Sequence, residues 1–365
     1  MSPVGRLFLL VLHLGKVDQT NQYRVYVNWE DRNRLTGLLP ANFHVISLSV
    51  RPRFARLLFQ QALLPIIAGW WSADVVHSPS FIMPMVRGRR HHVLTVHDMT
   101  SFTLPNYHIP LRRSLAYRQL LLRSIRRAHA ITVPSRSSQE DIYHWVPDLP
   151  RARVGVIPGG IGEEFTAYPP EAIRKTLERL DLPASYILYV GTIEPRKNLE
   201  ILVQSYKRLV TMGKTKEHLV LVGRLGWGYA ELLKQIESPE LQNRVHLVGY
   251  VHQKDLPLLY AGATLFVYPS LQEGFGFPPL EAMACGTPTI SSQTSSLIEN
   301  LQGAAKLVPP DDLESLTEAM HQLLNDEASR EQYRREGFAR ASKFRWEKTA
   351  LQTLSCYQEV ALGRA

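Results

Sequence analysis

The sequence predicts an α/β protein of two doubly wound domains, each a parallel sheet wrapped by helices, facing each other across a cleft. Three observations lead there. The 365 residues exceed one ordinary core and suit two domains of roughly 100–200 residues each. Short, continuously apolar runs alternate with stretches of helical spacing, the pattern of parallel strands buried on both faces. That alternation runs twice. Between the two rounds lies Pro158-Gly-Gly-Ile-Gly-Glu-Glu-Phe to Pro169-Pro170, a segment of chain-breaking residues.

In the first round, β-type runs fall at Tyr23–Trp29, His44–Val50, Asp74–His77, His92–His97, Ala130–Pro134 and Arg153–Ile157. Helical spacing marks Arg53–Ala68 and Leu111–Arg127. In the second round the runs are Tyr186–Val190, His218–Val222, Val245–Val248, Thr264–Tyr268 and Thr287–Ser291. Helical segments follow at Leu199–Met212, Gly228–Ile236, Lys254–Ala261, Pro279–Ala284 and Leu313–Leu324. The expected N-terminal domain covers 1–168 and the C-terminal domain begins at 169.

Composition narrows the class. Hydrophobic residues at 45% and charged residues at 21% exclude a disordered or fibrous chain. Two cysteines, Cys285 and Cys356, cannot build a disulfide framework or a thiolate zinc site, and a reducing compartment follows. No apolar run reaches the roughly 18–20 residues of a bilayer-spanning helix. The formal charge of +9 is unevenly placed. Residues 1–175 hold 22 basic and 11 acidic side chains, against 20 and 22 in the remainder. Arg112, Arg113, Arg118, Arg123, Arg126 and Arg127 share one helical region, and Trp70 and Trp71 end another. Such a half suits an anionic partner: a lipid surface, a phosphorylated substrate or nucleic acid. The plain alternative is a solvated basic face. No RNA- or DNA-binding motif accompanies the charge, so nucleic acid is not an expected partner.

Ligands of doubly wound sheets bind outside the carboxyl ends of the strands. After Tyr186–Val190 stands Gly191-Thr-Ile-Glu-Pro-Arg-Lys-Asn198. Gly191 and Pro195 shape a loop, and Asn198 suits the N-cap of a helix from Leu199. Two cations, Arg196 and Lys197, beside a helix N-terminus make a pyrophosphate site, because free N–H groups and the dipole add to the side-chain charge. Taken alone, the pair reads more readily as exposed loop cations. After His218–Val222 comes Gly223-Arg-Leu-Gly-Trp-Gly, where the backbone can approach a ligand closely. No GxGxxG exists in the chain, which counts against an NAD enzyme.

The strongest segment is Pro269-Ser-Leu-Gln-Glu273-Gly-Phe-Gly-Phe-Pro-Pro-Leu-Glu281. Glu273 opens a glycine-rich loop, Pro278 and Pro279 suit the first turn of a helix, and Glu281 lies within that helix. Two carboxylates so placed can address different hydroxyls of one ligand, such as a sugar and a ribose. Folding alone does not call for a charge, two glycines, two aromatics and two prolines in so short a stretch.

Here the chain resembles the retaining glycosyltransferases of family 4, group 1. Glu273 to Glu281 matches their E-x7-E motif in its E-G-F-G-F-P-P-L-E form. The resemblance also covers Val93-Leu-Thr-Val-His97-Asp98, Thr132-Val-Pro-Ser135, Gly191 to Asn198, Leu221 to Trp227, Val248-Gly-Tyr-Val251 and Phe344-Arg-Trp-Glu-Lys-Thr349. It implies the GT-B architecture, two Rossmann-like domains with the active site between them, and a last helix within 344–365 that crosses back to the N-terminal domain.

The resemblance also implies roles. Arg196 and Lys197 hold the donor pyrophosphate beside Gly191 and Gly223. Glu281 takes the ribose hydroxyls, and Tyr250 and Val251 border the base. Glu273 holds hydroxyls of the transferred sugar, with Gly274, Phe275, Gly276, Phe277 and Leu280 beside it. His97, at a strand end, approaches the reacting centre, so His97 and Glu273 are the catalytic candidates. No Asp-x-Asp triplet is present, so the two cations are expected to replace a metal, and no cofactor is expected. Expected partners are a nucleotide-sugar donor, first of all GDP-mannose, a glycan or lipid-linked acceptor, and an anionic membrane surface. The expected setting is the cytoplasm, peripheral on the inner face of the plasma membrane. The alternative is a GT-B protein that binds a sugar nucleotide without transfer.

One expectation concerns the beginning of the chain. A Rossmann-like domain opens with a central strand, then a glycine turn and a helix. Val4 to Leu14 resembles the turn and the helix, and Tyr23–Trp29 the second strand. A first strand is thus expected upstream, on roughly 10–20 further residues.

Overall fold

The computed structural model describes residues 3–49, 53–86, 88, 90–105 and 111–363. The side chains of Arg112 and Arg113 lie outside the described residues. The chain divides into two compact units: Met1–Gly160 with Arg345–Ala365, and Ile161–Phe344. The first division falls after Gly160, upstream of the residue 168 expected.

Unit 1 starts with α1 (Pro3–Val17). The turn after it is built on Asp18, whose carboxylate accepts from the backbone of Thr20 and Asn21 and from the Tyr23 hydroxyl. Two strands, β1 (Tyr23–Asn28) and β2 (Phe43–Leu48), pair in parallel with Tyr23 opposite Phe43, their rings stacked 4.2 Å apart. Next come α2 (Arg53–Leu58), a π-helical turn at Phe59–Leu63, and α3 (Leu64–Trp70). The unbroken helix expected over Arg53–Ala68 is interrupted here because Pro65 has no N–H to continue the ladder.

A second sheet holds β3 (Val75–Ser78), β4 (His91–Thr95), β5 (Ala130–Val133) and β6 (Val154–Val156), in that order and all parallel. Among the described residues no strand pairing joins it to β1 and β2. After β4 come α4 (Thr100–Thr103) and α5 (Leu111–Arg127), and α6 (Arg136–Trp145) follows β5. Side chains alternate along β4 and β5, so each face meets a different partner. Leu94, Val96, Ile131 and Val133 join Leu121, Ile125 and Ile142 of α5 and α6 in one core. Val93 and Ala130 pack instead on Val360 of the C-terminal helix, Trp346–Ala361. That helix also covers α1 through Leu14 and Ala350. His77 links it to the sheet: Nδ1 lies 2.7 Å from the Tyr357 hydroxyl and Nε2 2.7 Å from Thr95 Oγ1. At its start, Thr349 donates to the Pro158 carbonyl (2.7 Å). Trp346 presses so closely on Gly160 that a Cβ there would stand 2.2 Å from the Trp346 nitrogen.

Unit 2 has one sheet of six parallel strands: β7 (Tyr186–Val190), β8 (His218–Val222), β9 (Val245–Gly249), β10 (Leu265–Tyr268), β11 (Thr289–Ser292) and β12 (Lys306–Val308). Their spatial order is β12-β11-β10-β7-β8-β9. The helices are α7 (Pro170–Arg179), α8 (Leu199–Thr211), α9 (Ala230–Ile236), α10 (Leu256–Gly262), α11 (Phe277–Ala284), α12 (Ser295–Leu301), α13 (Leu313–Asn325) and α14 (Glu327–Ala341). All residues of β7, β10 and β11 are buried. β7 and β10 therefore read as unbroken apolar runs, while β11 carries buried Thr289 and Ser291, whose hydroxyls donate to the Thr287 and Tyr268 carbonyls. The winding reverses between β7 and β10, the two neighbours at the centre. Such a reversal is where a doubly wound sheet opens a crevice at its carboxyl edge.

Candidate active site

The loops after β7 and β10 meet at that reversal. The Leu271 N–H donates to the Arg196 carbonyl (2.9 Å), tying them together. A third loop, after β8, is laid against the first: Ile193 N–H donates to the Arg224 carbonyl and Gly226 N–H to the Ile193 carbonyl, each at 2.9 Å. Gly223 permits this contact. Its φ is +151°, and a Cβ would stand 1.8 Å from the Gly191 carbonyl oxygen.

Lys197 and Glu273 form an ion pair inside this junction. Glu273 Oε1 also accepts from Ser270 Oγ (2.6 Å) and the Tyr268 hydroxyl (3.0 Å), and Arg196 Nη1 lies 3.2 Å away. Among the described residues every donor to this carboxylate falls on Oε1. Oε2 is thereby left to accept from a ligand hydroxyl. Burial pushes the Glu273 carboxyl up, but Lys197 and Arg196 outweigh it and bring the group down to about 2. Burial likewise pulls the Lys197 ammonium below its ordinary value, and the Glu273 charge opposes that. Each charge thus favours the charged form of the other.

Arg196 is held on both sides. Its Nη1 donates to the Gln272 carbonyl (2.8 Å) and its Nη2 to Glu194 (2.8 Å). The guanidinium is therefore preorganised rather than a mobile loop cation. Asn198 does not cap α8 as expected. It adopts a left-handed conformation, φ 56°, and its amide donates instead to the Pro310 carbonyl (2.6 Å).

The loop carrying Glu273 is fastened from α12. Ser295 Oγ accepts from the Glu273 N–H (3.0 Å), Ser296 Oγ donates to the Glu273 carbonyl (2.8 Å), and Asn300 donates to the Phe275 carbonyl (2.7 Å). Gly276 takes φ +83°, where a Cβ would strike Leu297, and Phe277 then begins α11. The Phe275 side chain turns inward against Phe344, ring centroids 5.5 Å apart, and Leu280 is fully buried. Both side chains therefore pack, and only their backbone can reach a ligand. Gly274 lies beside Glu273 in the same loop. Glu281, 3% exposed, accepts from the Tyr260 hydroxyl (3.0 Å) on the inner side of α11.

Past β9, Tyr250 is 65% exposed with the Arg224 guanidinium 4.8 Å over its ring, while the neighbouring Val251 is buried. His97 belongs to unit 1. It follows β4, its Nε2–H donates to the Pro79 carbonyl (3.0 Å), and Phe81 meets its ring edge-on. That bond leaves Nδ1 as the acceptor of the neutral ring. Burial, the largest influence, lowers its pKa and favours the neutral form.

Arg196, Lys197 and Glu273 are thus one cluster, with Gly191 and Gly223 beside it. The sequence reading missed Tyr268, Ser270, Glu194 and the α12 fasteners. Tyr268 carried a signal: a polar-tipped aromatic at the last position of a buried strand.

The chain belongs to the glycosyltransferases. Residues 174–340 match the family described as glycosyl transferases group 1, and residues 11–165 match Glycosyltransferase Family 4. It is 34% identical to the O-antigen chain mannosyltransferase B of Escherichia coli over 285 residues, 78% of this chain and 74% of that protein. Its fold is the GT-B fold. HepE of Anabaena, solved with UDP-glucose, superposes with a TM-score of 0.77 at 20% identity, over 97% of this chain and 95% of that one. WaaG, a glycosyltransferase involved in lipopolysaccharide biosynthesis, gives 0.75 at 15% identity over 98% and 96%.

Proposed function

We propose that this glycosyltransferase acts in polysaccharide biosynthesis, moving mannose from GDP-mannose to a glycan or lipid-linked acceptor with retention of anomeric configuration and without a metal. The observation that carries this is the cluster at the sheet reversal: two cations fixed beside the start of α8, with a carboxylate that has one oxygen to spare.

The chemistry follows from charge. The bond from the sugar C1 to the diphosphate oxygen breaks, and its electron pair leaves with the nucleoside diphosphate. Arg196 and Lys197 stabilise that developing charge without reorganising, and preorganised cations lower such a barrier most directly. Glu273 Oε2 accepts from a sugar hydroxyl. Its Oε1 is saturated by donors and its carboxyl is held near 2, which weakens it as a nucleophile. Retention therefore proceeds with departure and attack on one face, and the acceptor hydroxyl passes its proton to the departing diphosphate. His97 orients a sugar or acceptor hydroxyl. Glu281 serves the ribose, Tyr250 and Val251 the base. The mannosyltransferase relative supports the sugar; HepE was solved with UDP-glucose, so the base is the choice to test first.

A cytoplasmic setting, peripheral on an anionic membrane face, completes the reading. Residues 32–139 contain 15 arginines, no lysine, and Asp74 and Asp98 as the sole carboxylates. Leu57, Leu58, Leu63, Ile66 and Trp70 of α2, the π turn and α3 are exposed. No described helix is long and apolar enough to cross a membrane.

The test is a thermal-shift screen of GDP-, UDP- and dTDP-sugars, then transfer to an acceptor panel with and without EDTA, the product anomer read by NMR. A ligand at 100 times its dissociation constant adds about 2.7 kcal/mol of stability. An inverted product or EDTA-abolished transfer overturns the mechanism. Binding without release of nucleoside diphosphate returns the chain to the non-transferring alternative.

A further inference from the structure

We propose that Tyr268 is a positioning residue for transfer: its hydroxyl holds the Lys197 ammonium and the Glu273 carboxylate where one meets the leaving diphosphate and the other the sugar. This rests on the reading above that a diphosphate leaves beside Lys197.

Tyr268 ends β10 and is 1% exposed. Its ring lies nearly parallel to those of Tyr189 (centroids 5.8 Å apart, 14°) and Phe266 (6.0 Å, 18°). The ring is thus confined in a stack of aromatics inside the sheet, and its hydroxyl is fixed in space. That hydroxyl accepts from Lys197 Nζ (2.8 Å) and donates to Glu273 Oε1 (3.0 Å). An ammonium can only donate and a carboxylate can only accept, so the orientation of the phenol proton is dictated by its two neighbours. Burial, reinforced by the Glu273 charge, raises the phenol far above its ordinary value and keeps it neutral. Lys197 is a flexible stem ending in a point charge, which does not orient itself. Direct attraction to Glu273 alone draws the two charges together without fixing where they point. A rigid hydroxyl touching both supplies that missing direction. The ring accounts for packing; the hydroxyl is what packing does not require.

Tyr268→Phe keeps the ring and removes only the hydroxyl. The expected result is a fall in kcat of about tenfold to a hundredfold, the range for losing one hydrogen bond to a charged group. The donor KM should change by less than about threefold, because the loss acts mainly on the departing charge. Calorimetry with GDP against GMP, and UDP against UMP, should show the extra affinity of the diphosphate shrinking at least about fivefold. Lys197→Met should show the same shrinkage, and the double variant should lose no more than either single one. A variant that melts lower but keeps both the kcat of its folded fraction and the diphosphate preference assigns Tyr268 to packing alone and overturns the proposal. Additive losses in the double variant also overturn it. Should the wild-type protein transfer no sugar, the functional reading fails while the nucleotide comparison still decides on Tyr268. If it binds no nucleoside diphosphate, both fail.

Discussion

Lys197 and Glu273 are ion-paired with 8% and 11% of their side chains exposed. A pair so far from water is held by mutual attraction against a large desolvation cost, so removing one partner strands the other. Lys197→Met should destabilise unit 2 by about 3–5 kcal/mol. Pairing it with Glu273→Gln should restore much of that stability and none of the activity. Urea unfolding followed in parallel with turnover checks both halves. A double variant as unstable as the single one contradicts this account.

Arg196 touches Glu194, Gln272 and Glu273 and is more accessible than Lys197. Arg196→Ala should therefore cost turnover about tenfold to a thousandfold with a smaller change in melting than Lys197→Met. Full activity would remove the cationic clamp from the mechanism.

Gly223→Ala tests the seating of the three loops. The backbone there favours glycine, and strain of this kind costs about 1–3 kcal/mol before any collision with Gly191 is counted. The expected outcome is weaker nucleotide binding together with a lower melting point. Unchanged binding would mean that the loop after β8 does not shape the site.

His77 makes unit 1 sensitive to acid. Burial, with a smaller push from His97, lowers its pKa from 6.5 to about 4. The unfolded chain then takes up a proton that the folded one refuses, so stability is lost as pH falls from about 6.5 towards 4. The slope is about 1.4 kcal/mol per pH unit across that window. Denaturant midpoints at pH 7 and pH 5 should differ, and His77→Gln should narrow the difference. An equal pH response in the variant assigns the effect to other histidines.

Vesicle flotation examines the basic half. Recovery with anionic vesicles at low salt should exceed that with neutral ones, each cation near the surface contributing about 1 kcal/mol. Replacing Leu58, Ile66 and Trp70 by serine should reduce it. Equal recovery from both vesicle types removes the membrane from the proposal.

The sequence made unit 2 more readable than unit 1, for physical reasons. Strands such as Tyr186–Val190 are buried on both faces and announce themselves as unbroken apolar runs. The segment from Glu273 to Glu281 stood out because a charge and several glycines and prolines have no packing purpose there. Tyr268 was hidden by the same logic, since an aromatic in an apolar run reads as core, and its ring is core. The fastening role of Ser295, Ser296 and Asn300 was not legible because they bond a backbone over 20 residues away, and no local spacing encodes that. Asn198 was misjudged because asparagine favours both N-caps and left-handed turns. In unit 1, Pro65 was visible, but its consequence, a π turn in place of a regular helix, depends on how neighbouring carbonyls are satisfied.

The chain passes between the units twice, after Gly160 and after Phe344. Unit 1 is therefore assembled from two separated stretches, while unit 2 is a single uninterrupted one. During synthesis from the N-terminus, domains tend to fold as soon as they are whole. Unit 2 is whole once Phe344 has emerged. Unit 1, although made first, still lacks Ala350 and Val360 against Leu14 and Val93, and must hold that apolar surface open. The earlier-made half is thus the later to close, and it is the half a ribosome-bound chaperone has reason to shelter.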